Sequence, residues 1–151
     1  MAVRLDKFLS ATEQQRVVAA IAEEEKRTSG EIKVHIDERC AHDPLSRAHH
    51  LFGHLGMHKT RARNGVLIYV AIADRKYAIL GDEGIHVKVG SDFWEAAATA
   101  MRDAFKRGAV GDGLVAAIHE VGAQLAALFP HHRGDKDQIS DAISTTLDRK
   151  A

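Results

Sequence analysis

The sequence predicts an α/β fold, a three-layer α/β/α sandwich around a small mixed sheet. Helical and β patterns alternate along the 151 residues in the order helix, strand, helix, strand, strand, helix, helix. One of these strands is apolar throughout, which is typical of a strand covered on both faces. A tight turn then joins it to the next strand. The predicted sheet therefore has two parallel strands, connected by a right-handed helical crossover, plus an antiparallel hairpin strand.

The first helix and the first strand have clear boundaries. Ser10 followed by Glu13 forms a capping box, and Gly30 suits the end of the helix. Residues 31–38, EIKVHIDE, then alternate between apolar and polar side chains. One face carries Ile32, Val34 and Ile36, and the other carries Lys33, His35 and Asp37. This alternation predicts a half-exposed strand.

Proline, glycine and a tight turn delimit the second helix and the hairpin. Pro44 opens the helix at its first turn, and Gly56 ends it. Residues 65–73, GVLIYVAIA, are continuously apolar and rich in β-branched side chains, as in a central strand. The dipeptide DR at 74–75 supplies the turn into KYAIL at 76–80. We expect these two strands to form a hairpin.

Two helices close the pattern. Ser91 suits the cap of a long helix over residues 92–108, which presents apolar side chains at successive turns. A glycine-rich break at 108–113 separates it from an apolar helix over 114–130. We therefore expect two helices packed against the same sheet.

The composition of the chain limits the classes of function. Lys+Arg and Asp+Glu number 21 each, so no global charge draws the chain onto nucleic acid or an anionic membrane. The single cysteine excludes an internal disulfide. The longest apolar run, 66–73, is too short to span a bilayer, and the N-terminus lacks a signal peptide pattern. We expect a soluble, cytoplasmic chain with one domain over residues 1–130, a polar tail over 131–151 and no oligomerisation signal.

Several familiar catalytic and metal motifs fail on spacing. The sequence has no phosphate-loop motif, no G-x-G-x-x-G after a strand and no H-E-x-x-H. Cysteine phosphatases separate the nucleophile from its arginine by five residues, but six residues separate Cys40 from Arg47 here. His50 and His54 have the i, i+4 spacing of a metal-binding pair on a helix, but we assign them to a solvated face. The sequence therefore identifies no nucleophile.

Three segments carry a family resemblance. They are SGEI at 29–32, RNGVLIYVAIADRKYAILGDEGI at 63–85 and FKRGAVGDGLVAAIHEVGAQLAALFP at 105–130. They resemble the TPM domain, a family named after thylakoid-lumen and photosystem II repair proteins and a modulator of acetylcholine receptors, and in particular its soluble bacterial branch. The resemblance implies an α/β/α sandwich and binding of a divalent cation, Ca²⁺ in the first place and Mg²⁺ as the alternative. It also implies the acid phosphatase activity of the plant branch.

The predicted topology sorts the acidic residues between the two ends of the sheet. At the amino edge, where the two parallel strands begin, it places Glu31, Asn64, Asp82 and Glu83. At the carboxyl edge, where these strands end, it places Asp37, Glu38 and Asp74, joined by Asp112. Carboxylate and amide oxygens suit a hard cation at the amino edge, whereas open α/β sheets bind ligands beyond the carboxyl edge. We favour the amino edge as the metal site because SGE and NG of the resemblance fall there.

Two functions remain open from the sequence. The first is a divalent-cation-binding or protein-interaction module without turnover. The alternative is a metal-dependent acid phosphatase of low specificity, in which Arg61 or Arg63 holds the phosphate as a bidentate donor. Both functions use the GDEGIH stretch at 81–86, because it ends the third strand and contributes the predicted metal ligands Asp82 and Glu83.

Overall fold

The computed structural model of the protein describes residues 5–89, 93–131 and 139–145. Its helices are α1 (Leu5–Phe8), α2 (Ala11–Glu25), α3 (Pro44–His54), α4 (Glu83–His86), α5 (Glu95–Arg107) and α6 (Val110–Leu128), with a 3₁₀ turn at Met57–Lys59. Its strands are β1 (Glu31–Asp37), β2 (Gly65–Ala71), β3 (Lys76–Gly81) and β4 (Ser144–Thr145).

The sheet has the predicted mixed topology. Its strand order is β3-β2-β1-β4, with β2 parallel to β1 and antiparallel to β3. The register aligns Glu31 with Gly65 at one end of the parallel pair and Asp37 with Ala71 at the other. The hairpin turn is tight enough to hold Arg75 at a φ of 56°, a left-handed conformation that is uncommon for a residue other than glycine.

Helices cover both faces of the sheet, as predicted. Ile32, Val34 and Ile36 of β1 pack with apolar side chains of α2, α5 and α6 in the larger core cluster. On the opposite face, Leu67 and Tyr69 of β2 pack with side chains of α3 in a second cluster. The α/β/α sandwich is therefore confirmed. Among the described residues, no helix has the length and apolar character that a membrane crossing requires; the cytoplasmic location stays a prediction.

Strand β1 differs from the prediction in its burial. All seven of its residues are buried, including Lys33, His35 and Asp37, which the alternating pattern assigned to an exposed face. The reason is a segment, residues 139–145, that lies over this polar face. Lys33 Nζ donates to the carbonyl of Ala142 at 2.6 Å, and β4 pairs in parallel with β1 at His35 and Ile36. Part of the predicted polar tail thus extends the sheet.

The boundaries of the last two helices also differ from the prediction. Helix α6 begins at Val110 rather than at 114, so most of the glycine-rich stretch is helical. A Cβ on Gly113 would lie 2.5 Å from the Cβ of Ala104, so this glycine lets α5 and α6 approach closely. The predicted cap Ser91 lies outside the described residues. At the other end of the chain, the Ser10–Glu13 capping box of α2 is confirmed.

Candidate functional site

The backbone brings the four predicted metal ligands to the amino edge. The Glu31 N–H donates to the carbonyl of Asn64 at 3.4 Å, and the Asp82 N–H donates to the carbonyl of Gly65 at 2.9 Å. Glu83 follows as the first residue of α4. The predicted grouping of these residues at one end of the sheet is therefore confirmed, whereas their role as metal ligands stays a prediction.

The acidic side chains at the amino edge already have protein partners. Arg63 donates two hydrogen bonds to Asp82, from Nε to Oδ2 at 2.8 Å and from Nη2 to Oδ1 at 3.0 Å. This contact raises the pKa of Arg63. Glu31 Oε1 accepts a hydrogen bond from the Ile139 N–H at 3.0 Å. A cation at Asp82 would face the Arg63 guanidinium, so binding there requires Arg63 to move.

One polar atom at the amino edge has no such partner. Asn64 Nδ2 donates to the Ser29 hydroxyl at 3.3 Å, but the buried Oδ1 has no hydrogen-bond donor among the described residues. Glu83, whose side chain is 72% exposed, lies 3.7 Å from the Arg63 guanidinium. Within the described ranges, no group of three or more His, Cys, Asp or Glu side chains is arranged to hold a metal ion. The amino edge thus offers separate oxygen donors without a formed cage.

The carboxyl edge is organised around Asp37, the last residue of β1. Tyr69 donates its hydroxyl hydrogen to Asp37 Oδ2 at 2.7 Å. Arg47 of α3 donates from Nε to the same oxygen at 2.9 Å. His35 Nε2 lies 3.0 Å from Oδ1. Strands β1 and β2 and helix α3 each supply one or more members of this cluster, which is almost wholly buried.

The electrostatics of this cluster follow from burial and hydrogen bonding together. Burial alone would raise the pKa of Asp37, but the hydrogen bonds from His35, Arg47 and Tyr69 outweigh it and hold this pKa well below its usual range. Burial and the bond to Asp37 raise the pKa of Tyr69. For Arg47, the neighbouring carboxylate outweighs burial and raises the pKa. Asp37 is therefore a carboxylate and Arg47 a guanidinium cation across the physiological range.

A cavity of about 770 Å³ opens beside this cluster. Its wall consists of residues 37–42 together with Ser46, Arg47 and His50. It lies beyond the ends of parallel strands, where open α/β sheets bind their ligands. Its volume is within the roughly 300–1,000 Å³ of small-molecule sites. The carboxyl edge, the less favoured of the two edges in the sequence analysis, therefore contains a formed cavity.

Cys40 and the remaining acidic residues of this edge have structural contacts. The buried Cys40 Sγ donates to the His42 carbonyl at 3.2 Å. Asp74 accepts from the Cys40 N–H at 2.8 Å and from Arg39 at 3.0 Å, and the backbone bond is the main cause that lowers the pKa of Asp74. Asp112 instead pairs with Arg16 at 3.2 Å and does not line the cavity. Cys40 and Arg47 do share one cavity, although their spacing fails the phosphatase motif.

Ser144, His35 and Asp37 have the residue types of a hydrolase triad, but not its geometry. The Ser144 hydroxyl lies 2.7 Å from His35 Nδ1, and His35 Nε2 faces Asp37. Ser144 is only 5% exposed and does not line the cavity, so it cannot attack a substrate. Sequence reasoning missed this arrangement because it placed Ser144 in the polar tail, and it missed the contact of Tyr69 with Asp37 because it read residues 65–73 as continuously apolar.

Comparison with known proteins gives the same fold. The family model of the TPM domain matches residues 3–124. The chain is similar to the BA42 protein of the psychrophilic bacterium Bizionia argentinensis, with 41% identity, a TM-score of 0.87 and coverage of 94% of this chain and 98% of that one. The N-terminal domain of the cg2496 protein of Corynebacterium glutamicum shares the fold at 19% identity and a TM-score of 0.61, with coverage of 78% and 74%. No curated protein matches the chain. The chain belongs to the TPM domain family.

Proposed function

We propose that this chain is a binding module whose carboxyl-edge cavity takes the phosphate group of a small phosphomonoester. The observation that carries the proposal is Arg47, a guanidinium fixed by a buried carboxylate on the wall of a ligand-sized cavity. A fixed guanidinium loses little conformational entropy when it binds an oxyanion, and its planar donors match phosphate geometry.

The wall carries two arginines and two histidines beside the carboxylates of Asp37 and Glu38. Asp37 accepts a hydrogen bond from Arg47. Asp74 accepts hydrogen bonds from Arg39 and from the backbone N–H of Cys40. Arg39 itself is 70% exposed. His42 and His50 add two imidazoles to the wall. Two guanidinium groups and two imidazoles therefore line the cavity, and such groups can donate hydrogen bonds to a phosphate.

The alternative to binding alone is hydrolysis of the phosphomonoester by a metal-dependent acid phosphatase. A metal-dependent acid phosphatase needs a cation beside the phosphate and an activated nucleophile. Arginines engage Asp37 and Asp74, which leaves Glu38 as a single carboxylate of the wall, and Cys40 is buried with its thiol bonded to a carbonyl. These residues do not fit a metal centre, so binding, rather than turnover, is the proposed function. A protein partner stays a prediction.

The test is calorimetric titration of the full chain with inorganic phosphate and with phenyl phosphate. Arg39→Gln removes one cation of the wall without disturbing the Asp37 cluster. We expect it to weaken binding about tenfold, the equivalent of ~1.4 kcal/mol. Arg75→Gln is the matched control, because Arg75 is exposed and lies outside the cavity. Equal affinities for wild type and Arg39→Gln, or no binding of phosphate to wild type, would contradict the proposal.

Divalent-cation binding at the amino edge is the second candidate. The observation that favours it is Asn64 Oδ1, a buried acceptor without a hydrogen-bond donor among the described residues, beside Asp82 and Glu83. Ca²⁺ prefers such mixed oxygen donors. Because Arg63 competes for Asp82, we expect Arg63→Gln to bind Ca²⁺ more tightly than wild type and to gain more melting temperature from added Ca²⁺. Arg61→Gln is the control, and a melting temperature that ignores Ca²⁺ in all three chains rejects this candidate.

A further inference from the structure

A chain of hydrogen bonds leads from the C-terminal segment to the cavity wall. The Ser144 hydroxyl lies 2.7 Å from His35 Nδ1, and His35 Nε2 lies 3.0 Å from Asp37 Oδ1. The other oxygen of Asp37 accepts from Arg47 Nε at 2.9 Å. His35, Asp37 and Ser144 are each at most 5% exposed. Water therefore competes little with these contacts, and each group depends on its neighbour.

The positions of the protons follow from the acceptors. Asp37 is a carboxylate and can only accept, so His35 Nε2 must carry a hydrogen. Nδ1 then either accepts the Ser144 hydroxyl hydrogen or carries a second hydrogen. A second hydrogen would add a buried cation next to Asp37, whose charge Arg47 already balances. The Ser144 hydroxyl would also have to donate to the Val34 carbonyl, which is 3.5 Å away. With the neutral ring, the Ser144 hydroxyl hydrogen lies in the 2.7 Å contact to Nδ1 rather than in the 3.5 Å contact to the Val34 carbonyl.

We propose that Ser144 is a positioning residue for the cavity, because its hydroxyl donates to Nδ1 and so holds the neutral His35 ring against Asp37 and, through it, Arg47. The affinity of the cavity for phosphate then depends on the C-terminal segment, and ligand binding in turn favours the docked segment. This inference rests on the proposed function for its ligand. The state of the His35 ring and of Arg47 can be measured without any ligand.

The main-chain contacts that hold residues 139–145 on the sheet do not depend on the Ser144 side chain. Glu31 accepts from the Ile139 N–H, and Lys33 donates to the carbonyls of Ser140 and Ala142. These contacts involve main-chain atoms, which an alanine at position 144 retains. The family model ends at residue 124, so the segment lies beyond the matched part of the domain.

The experiment compares Ser144→Ala with Ser140→Ala in the full chain. Ser140 is the matched control because its hydroxyl accepts from the Ala142 N–H within the same segment and has no contact with His35. We measure the ¹⁵N shifts of the His35 ring, the Arg47 Nε–H signal and the affinity for inorganic phosphate. In Ser144→Ala we expect loss of the pure Nε2–H ring signature, faster exchange of the Arg47 Nε–H and about fivefold weaker binding. Ser140→Ala retains all three, and Ser144→Thr, which keeps a hydroxyl, restores the ring signature.

The outcomes separate this inference from the proposed function. Unchanged ring and Arg47 signals in Ser144→Ala overturn the inference, whatever the affinity for phosphate. If wild type binds no phosphate while these signals change as expected, the proposed function fails and the positioning role stands. If Ser144→Ala does not fold, the wild-type spectrum decides, because a His35 ring that is doubly protonated or protonated at Nδ1 alone overturns the inference.

Discussion

Replacing Asp37 by asparagine tests the central cluster with almost no change in shape. Both carboxylate oxygens accept hydrogen bonds, Oδ2 from Tyr69 and Arg47 and Oδ1 from His35. An amide has one oxygen, so its NH₂ group must face a donor in either orientation, and Arg47 loses its counter-charge. Breaking a buried pair by removing one partner costs about 3–5 kcal/mol. For a domain of this size the melting temperature then falls by roughly 6–20 °C.

Urea and thermal unfolding of the full chain measure this effect. Glu38→Gln is the matched control, because it removes the same charge from the next residue, which lines the same cavity and is only half-buried. We expect its effect on the free energy of unfolding to stay within about 0.5 kcal/mol. If Asp37→Asn costs no more than Glu38→Gln, Asp37 is not the electrostatic centre of this edge and does not fix Arg47.

Three further predictions follow from single contacts. Tyr69→Phe removes a hydroxyl that donates to a carboxylate, so urea unfolding should show a loss of about 1.5–3 kcal/mol. Because the pKa of Asp37 is depressed, the unfolded chain takes up this proton first, and wild-type stability should fall as pH drops below about 4. Acid titration of the unfolding free energy should be shallower for Asp37→Asn. Gly84→Ala should lower the melting temperature because its Cβ would overlap the Ala62 carbonyl, whereas Gly53→Ala, with open space in α3, should stabilise by about 0.5–1 kcal/mol.

The elements that the sequence predicts well are those whose signals are local. Gly65–Ala71 is a buried central strand because its side chains are apolar on both faces, and this pattern is visible without any partner. The capping box of Ser10 and the start of α3 at Pro44 likewise depend only on contacts between residues within four positions of each other. From such signals the layer order and the parallel crossover follow, and with them the assignment of each acidic residue to one end of the sheet.

Strand β1 shows why the rest could not be predicted. Its alternation is real, but the polar face is covered by residues more than 100 positions away in the chain. A buried Lys33 and a solvated one give the same pattern, since the difference lies in whether two distant carbonyls reach the ammonium group. The Asp37 cluster was missed for the same reason. Its members come from β1, β2 and α3, and no spacing rule joins them.

The amino edge was favoured because the SGE and NG segments of the family resemblance lie there, and the structure gives both segments a packing role. A Cβ on Gly30 would lie 2.9 Å from a methyl group of Leu125, and one on Gly65 would lie 3.1 Å from the Met57 carbonyl. These glycines let α6 and the 3₁₀ turn approach the start of the sheet closely. A family pattern that packing already explains is weak evidence for a ligand. The cavity at the opposite edge, with its fixed guanidinium, is therefore the better place to look for one.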